Sequence, residues 1–117
     1  MTTIYDYAGP PLIVFENGYI RRYTGQCLYR FDGEILYSYT GPALYRIMDN
    51  YIARYTGQYL YRFDGELLYS YSGPALYRRI GNYIADYSGP YQFRIDGHLS
   101  RKELMVLFVL ILEEGIN

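Results

Sequence analysis

Few residues in this chain of 117 could do chemistry, and their types and spacing narrow the options quickly. There is one imidazole, His98, and one thiol, Cys27. Asp32, Asp64 and Asp96 each precede a glycine, at intervals of 32. Arg30, Arg46, Arg62, Arg78 and Arg94 recur every 16 residues, and Glu113-Glu114 follow the most apolar stretch. A metal centre or a nucleophilic triad needs several such groups to converge. His98 has no repeating partner and stands where Glu34 and Glu66 stand in sister segments, so it reads as a turn residue near a helix start. Cys27 fills a slot held elsewhere by Tyr59 and Ala43, a tolerance that suits packing rather than a nucleophile. Each Asp-Gly turn supplies one or two oxygens, too few for a calcium loop. The glycines punctuate strands and lead into no phosphate-cradling helix. Interleaved arginines and aromatics would suit a single-stranded nucleic acid. However, 11 Lys and Arg against 12 Asp and Glu leave a net charge of −1, without the basic excess such binding uses. The expectation is no enzyme, no cofactor, no metal and no nucleic-acid partner, with Glu113-Glu114 as solvated residues at a helix end.

What positions these residues is a repeat. Tyr stands at 7, 23, 39, 55, 71 and 87 with Gly two places later, a period of 16 without insertions. Six units fill residues 7–102 and alternate in kind, so the larger period is 32, present three times. Residues 23–54 and 55–86 differ at seven of 32 positions, the mark of duplication. Runs of Tyr, Ile, Leu and Phe suit strands, and Asn-Gly or Asp-Gly supplies the positive φ of tight hairpins. Pro10, Pro42 and Pro74 mark a second kind of turn between hairpins. The pattern predicts an all-β fold with one C-terminal helix: about 12 short antiparallel strands over residues 3–97, then a helix over 99–114, in a single domain 1–117.

Turn chemistry sets the expected faces. Asn17-Gly18, Asp49-Asn50 and Gly81-Asn82 read as turns, with Asp32-Gly33, Asp64-Gly65 and Asp96-Gly97 one place earlier in phase. Three-residue loops at the Asp-Gly sites would set Arg30 against Glu34 and Arg62 against Glu66. One face then carries Leu12, Ile20, Leu28, Leu36, Leu44, Ile52, Leu60, Leu68, Leu76 and Ile84 together with the arginines. The other carries Tyr29, Phe31, Tyr37, Tyr45, Tyr61, Phe63, Tyr69 and Tyr77. The aromatic face is expected inward, although mid-strand hydroxyls would then need partners, and the reverse packing stays open.

After His98 the pattern changes. Ser100 and Glu103 form a capping-box signature, and Leu104 to Leu112 are nine consecutive apolar residues. Nine residues rise about 13.5 Å, under half the roughly 30 Å of a bilayer core, so a membrane span is not expected. Strands of about five residues, tilted by about 40°, close twelve-fold at a radius near 12 Å, which leaves room for a helix and one layer of side chains. The helix therefore reads as a plug within or capping a closed meander barrel, with Leu104, Leu107, Phe108 and Ile111 buried.

The recurring Ile/Leu-Tyr, turn-Gly, Leu-Tyr-Arg, Asp/Asn-Gly pattern resembles the bacterial family described as a four-fold β-flower, small proteins of short hairpins with similar spacing. The likeness covers most of residues 3–97 and is nearest in MTTIYDYAGPPLIVFENGYI. This chain departs from it in having no Trp and 18 Tyr. The family implies no activity. The expected architecture is also similar, in topology only, to tubby-like and scramblase-like barrels, and fold does not fix function.

The function expected from these features is a non-catalytic structural or interaction module, self-assembling into a homo-oligomer or polymer because near-identical repeats present near-identical surfaces. An alternative uses Tyr29, Tyr37, Tyr45, Tyr61, Tyr69 and Tyr77 as an aromatic surface for carbohydrate or cell-wall chains, which requires those rings outward. A further alternative is peripheral membrane association through the C-terminal helix. The start MTTIYDYAG and the single Cys are read as cytoplasmic.

Overall fold

Two kinds of turn alternate along the chain and between them close the sheet. In the computed structural model, which describes residues 1–116, twelve antiparallel strands form a closed barrel. The strands are β1 (Thr2–Asp6), β2 (Pro11–Glu16), β3 (Tyr19–Arg22), β4 (Cys27–Asp32), β5 (Ile35–Ser38) and β6 (Ala43–Ile47). They continue as β7 (Tyr51–Arg54), β8 (Tyr59–Phe63), β9 (Leu67–Ser70), β10 (Ala75–Ile80), β11 (Tyr83–Asp86) and β12 (Tyr91–Asp96). Each pairs with its neighbours in sequence, and β1 closes the ring on β12 through Ile4 opposite Ile95. The helix α1 (Arg101–Val109) follows, continued by a π-helical turn over Leu110–Glu114.

The hairpin loops all have two residues and one phase: Asn17-Gly18, Gly33-Glu34, Asp49-Asn50, Gly65-Glu66 and Gly81-Asn82. This corrects the three-residue Asp-Gly loops expected from sequence. The glycine moves within the loop while the loop stays put. Asn17 and Gly18 both have positive φ, 53° and 82°, whereas Gly33 takes the positive φ of 65° at the first loop position. A two-residue loop joins positions of opposite parity, so Arg30 pairs with Tyr37 and Arg62 with Tyr69, and neither pairs with a glutamate.

The second turn carries a β-bulge in every unit. Leu12, Leu28, Leu44, Leu60, Leu76 and Gln92 are each skipped in the pairing with the preceding strand. Each bulge carbonyl accepts the backbone N–H of a phase-marking tyrosine, Tyr23 to Leu12 through to Tyr7 to Gln92, in six bonds of 2.9–3.0 Å. Bulges bend and twist their strand, and six of them in register turn a meander into a short barrel.

These two turns split the faces that the sequence joined. On β3, β5, β7, β9 and β11 the aliphatic residue points in: Ile20, Leu36, Ile52, Leu68 and Ile84 are all buried. On the alternate strands the aromatic residue points in, so Ile20 pairs with Tyr29, Leu36 with Tyr45, Ile52 with Tyr61 and Leu68 with Tyr77. Leu12, Leu28, Leu44, Leu60 and Leu76, expected in one series with them, are half-buried bulge residues. The inner wall is thus neither the aromatic nor the aliphatic face but one of each from adjacent strands.

The helix fills this wall. Leu104 through Leu110 are each no more than 1 % exposed, and Ile111 is buried. Phe108 lies 5.4 Å from the Phe63 ring and stacks on Tyr77 at 6.0 Å. The expected capping box forms, Ser100 accepting from the Glu103 N–H and Glu103 from that of Ser100. Arg101 then ties the helix entrance to the wall through the Asp49 and Phe63 carbonyls and the Asn50 amide. Truncating Phe108 to Ala removes the ring that two wall aromatics touch, and should cost about 3–5 kcal/mol in urea unfolding, with no loss of strand content below the transition.

Candidate functional site

The side chains able to act gather in two places, the rim where the helix leaves the barrel and the outer wall. At the rim the inner tyrosines meet the end of the helix. Glu114 accepts from the Tyr45 hydroxyl at 2.7 Å and from Tyr29 at 3.1 Å. Glu113 accepts from the Tyr61 hydroxyl and pairs with Arg54 at 3.1 Å. The π-helical turn, one residue wider than an α-turn, brings both adjacent glutamates to the tyrosine ring. Glu114 is exposed and Glu113 half-buried, as expected of a helix end, but both also accept tyrosine hydroxyls, which the sequence did not show. They supply the partners that inward tyrosines need, and no buried side-chain polar atom among the described residues is left unpaired.

The same contacts hold the phenols neutral. Burial and then the nearby Glu114 carboxylate push Tyr29 up to about 12. Burial, then the bond to Glu114, raises Tyr45, and burial, then the bond to Glu113, raises Tyr61. Tyr77 is raised by burial and, less, by Asp86.

Of the six tyrosines expected to form an interaction surface, Tyr29, Tyr45, Tyr61 and Tyr77 pack against the core, Tyr45 at 3 % exposure. Tyr37 and Tyr69 face outward, each beneath a guanidinium: Arg30 lies 3.8 Å from the Tyr37 ring and Arg62 3.9 Å from Tyr69. Arg94 lies 4.0 Å from Tyr5 in the third copy. The exposed rings are others. All six phase-marking tyrosines are 44–51 % exposed, and Tyr19, Tyr51 and Tyr59 are exposed too.

On the wall these rings cluster with the 32-residue period. Tyr51, Tyr59 and Tyr71 lie 5.2–5.8 Å apart. Tyr83, Tyr91 and Tyr7 repeat the cluster at 5.0–5.7 Å across the seam between chain ends. In the first copy Tyr19 meets Tyr39 at 6.0 Å, with Cys27 where the third ring would be. A second substitution accompanies it. Ala53 and Ala85, paired with Tyr59 and Tyr91, are 1 % and 0 % exposed, and Arg21 replaces them opposite Cys27. The Arg21 guanidinium pairs with Glu16 at 3.6 Å, and a cavity of about 220 Å³ lined by Glu16, Asn17, Tyr19, Arg21 and Cys27 opens beside it.

The remaining candidates have structural places. His98 works through its backbone: its carbonyl accepts from Thr2 Oγ1 at 2.7 Å and its N–H donates back at 3.1 Å, fastening β1. Asp64 Oδ1 accepts the Glu66 and Leu67 amides of its own turn, which lowers its pKa. Among the described residues no three His, Cys, Asp or Glu side chains gather to hold a metal ion, and no helix is long and apolar enough to cross a membrane. No family model, no curated protein and no solved structure matches the chain.

The rim makes the barrel sensitive to alkali. At pH below the ordinary phenol value of 10.0 Tyr29 is neutral in both folded and unfolded chains, and its stabilisation is whole. Between there and about 12 the unfolded chain ionises while the barrel holds the phenol neutral, so stability falls as pH rises. Phenolate absorbance should therefore show a late-ionising class, and unfolding midpoints should drop across that window. In Glu114→Gln the Tyr29 and Tyr45 members of that class should ionise earlier.

Proposed function

We propose that the chain is a non-catalytic interaction module that works through the outer wall of its barrel and associates with copies of itself. The observation that carries this is where the exposed aromatics lie. The helix occupies the barrel interior, with Leu104 to Leu110 buried on every side, which leaves the wall and rims as the surfaces for a partner. On that wall two complete three-tyrosine clusters recur one third of the ring apart, the third interrupted by Cys27. Tyrosine is the residue that gives large contact area with a polar tip, at little loss of side-chain freedom. Identical patches on one molecule favour symmetric pairing, and two of them pointing in different directions favour open-ended assembly. The same burial supports the plug reading of residues 104–110 over lipid binding by that segment.

The count of intact clusters sets the expected assembly. Sedimentation of the full chain should show species growing with concentration. Tyr59→Ser breaks one complete cluster and should stop growth at dimers. Tyr59→Ser with Tyr91→Ser breaks both and should leave monomers. A full chain that stays monomeric at its highest soluble concentration removes self-association from the proposal.

A further inference from the structure

We infer that the barrel binds neutral pyranose chains at repeat-related sites where the hairpin loops meet the outer wall, two of them open clefts. The inference rests on the outer wall being the working surface; it shares Tyr19, Tyr51 and Tyr83 with the clusters proposed for self-association and is read out separately, by saccharide binding. One cleft, of about 320 Å³, is lined by Asn50, Tyr51, Arg62, Phe63 and Asp64. A second, of about 240 Å³, is lined by the residues 32 places earlier, identical in type except that Asn17-Gly18 replaces Asn50. A third set, centred on Tyr83 and Arg94, repeats the register of Tyr51 with Arg62 and Tyr19 with Arg30, but has Ile95 where they have Phe63 and Phe31, and its tyrosine is stacked on Tyr91 at 5.0 Å. These strand pairs, β3–β4, β7–β8 and β11–β12, stand one third of the ring apart.

Each cleft combines three kinds of group. Tyr19 and Tyr51 are 45 % and 37 % exposed and offer aromatic surface. Beside each lies an arginine whose Cζ sits over the next tyrosine ring at 3.8–4.0 Å, and whose fork of N–H donors is free of any carboxylate among the described residues. The ion pairs among the described residues, Arg21–Glu16, Arg54–Glu113 and Lys102–Glu34, use none of these three guanidiniums. The aspartate at the end of the long strand adds an acceptor: Asp64 spends Oδ1 on its turn and leaves Oδ2 with only a 3.4 Å contact to Tyr69.

Donor fork, acceptor oxygen and ring face are the set that vicinal hydroxyls and the C–H face of a pyranose require, because each hydroxyl both donates and accepts. Within each cleft one guanidinium stands beside one carboxylate, and at the first Arg101 adds a second cation, bonded to Asn50 Oδ1 and 5.1 Å from the Phe63 ring. A polyanion would meet Asp32, Asp64 or Asp96 and a chain of net charge −1, while a cation would meet the arginine. Shallow clefts bind a single sugar weakly. Repeated sites on one rigid ring bind a polymer far better through effective concentration.

The test is affinity electrophoresis of the full chain through gels holding hydroxyethylcellulose, glycol chitin or soluble starch, with calorimetric titration of cellohexaose, chitohexaose and maltohexaose. Retardation by at least one neutral polymer is expected. It should weaken roughly tenfold in Kd for each site lost, stepwise through Arg62→Gln, Arg30→Gln and Arg94→Gln, in variants whose thermal unfolding shows them folded. Arg→Lys at the same sites should lose binding as well, since it keeps the charge and loses the fork. The inference is overturned if no neutral polymer retards the chain, if the triple Arg→Gln variant is retarded as before, or if only pectate or single-stranded DNA binds, in a salt-dependent way. Tyr59 and Tyr91 lie against Tyr51 and Tyr83, so the separating variants are the Arg→Gln series: these leave every cluster tyrosine in place, and assembly should persist in them while retardation is lost. Assembly of the unsubstituted chain without retardation sinks this inference alone, and its retardation as a monomer sinks self-association alone.

Discussion

A closed ring of twelve short strands encloses a space that has to be filled, and the rest of this structure follows from how it is filled. The strands are four to six residues long, so the barrel is wide for its height, a disc of 36 × 34 × 21 Å. Inward side chains alone do not reach across such a ring, and a void that size would forfeit the dispersion contacts that hold a core. One helix with a layer of large side chains closes the gap. This explains why α1 has no polar side through its middle: every direction from its axis meets wall. It also explains why polar groups crowd at its two ends. Ser100, Arg101 and Lys102 fasten the entrance, and Glu113 and Glu114 fasten the exit.

The wall answers the same demand with a division of labour between adjacent strands. A short strand contributes one aliphatic residue at mid-height, and the long strands on either side contribute residues above and below it, as Leu36 does between Phe31 and Tyr45. Two-residue loops make this possible because they flip parity at every hairpin, and the bulge on the far side adjusts the register. Tyrosine suits the upper inner positions because its ring reaches the helix and its hydroxyl reaches the rim. The helix end has to present acceptors there, and it does so with two glutamates brought round by a π-helical turn.

The outer wall inherits whatever is left by this arrangement, and inherits it in threes. Arg30, Arg62 and Arg94 pair with one tyrosine and lie on another because parity places them outside between two rings. The tyrosine clusters form where the second kind of turn brings three strands' outer residues together, and where Cys27 interrupts one a cavity lined by Tyr19, Arg21 and Cys27 is left. Repetition therefore sets the outer surface as well as the core, placing like groups on the wall at intervals of a third of the ring.

Much was legible in the residues themselves: the 16- and 32-residue periods, the number of strands, the capping box and the buried face of the helix. Those depend on local propensity and on hydrophobic content, which one-dimensional spacing carries. Which tyrosines face the helix was not legible, because it turns on whether a glycine opens a loop or closes it, a difference of one residue that inverts every side chain beyond it. The bulges at Leu28 and its equivalents have no residue signature apart from the tyrosine whose N–H caps their carbonyl, and that bond exists only once the strands are paired. Glu113 and Glu114 look like any polar helix end until the helix is threaded through the barrel. Sequence alone determined that this chain is a β-repeat with an apolar plug. Tertiary closure decided which rings are core and which are surface, because only a closed barrel gives each strand an inside.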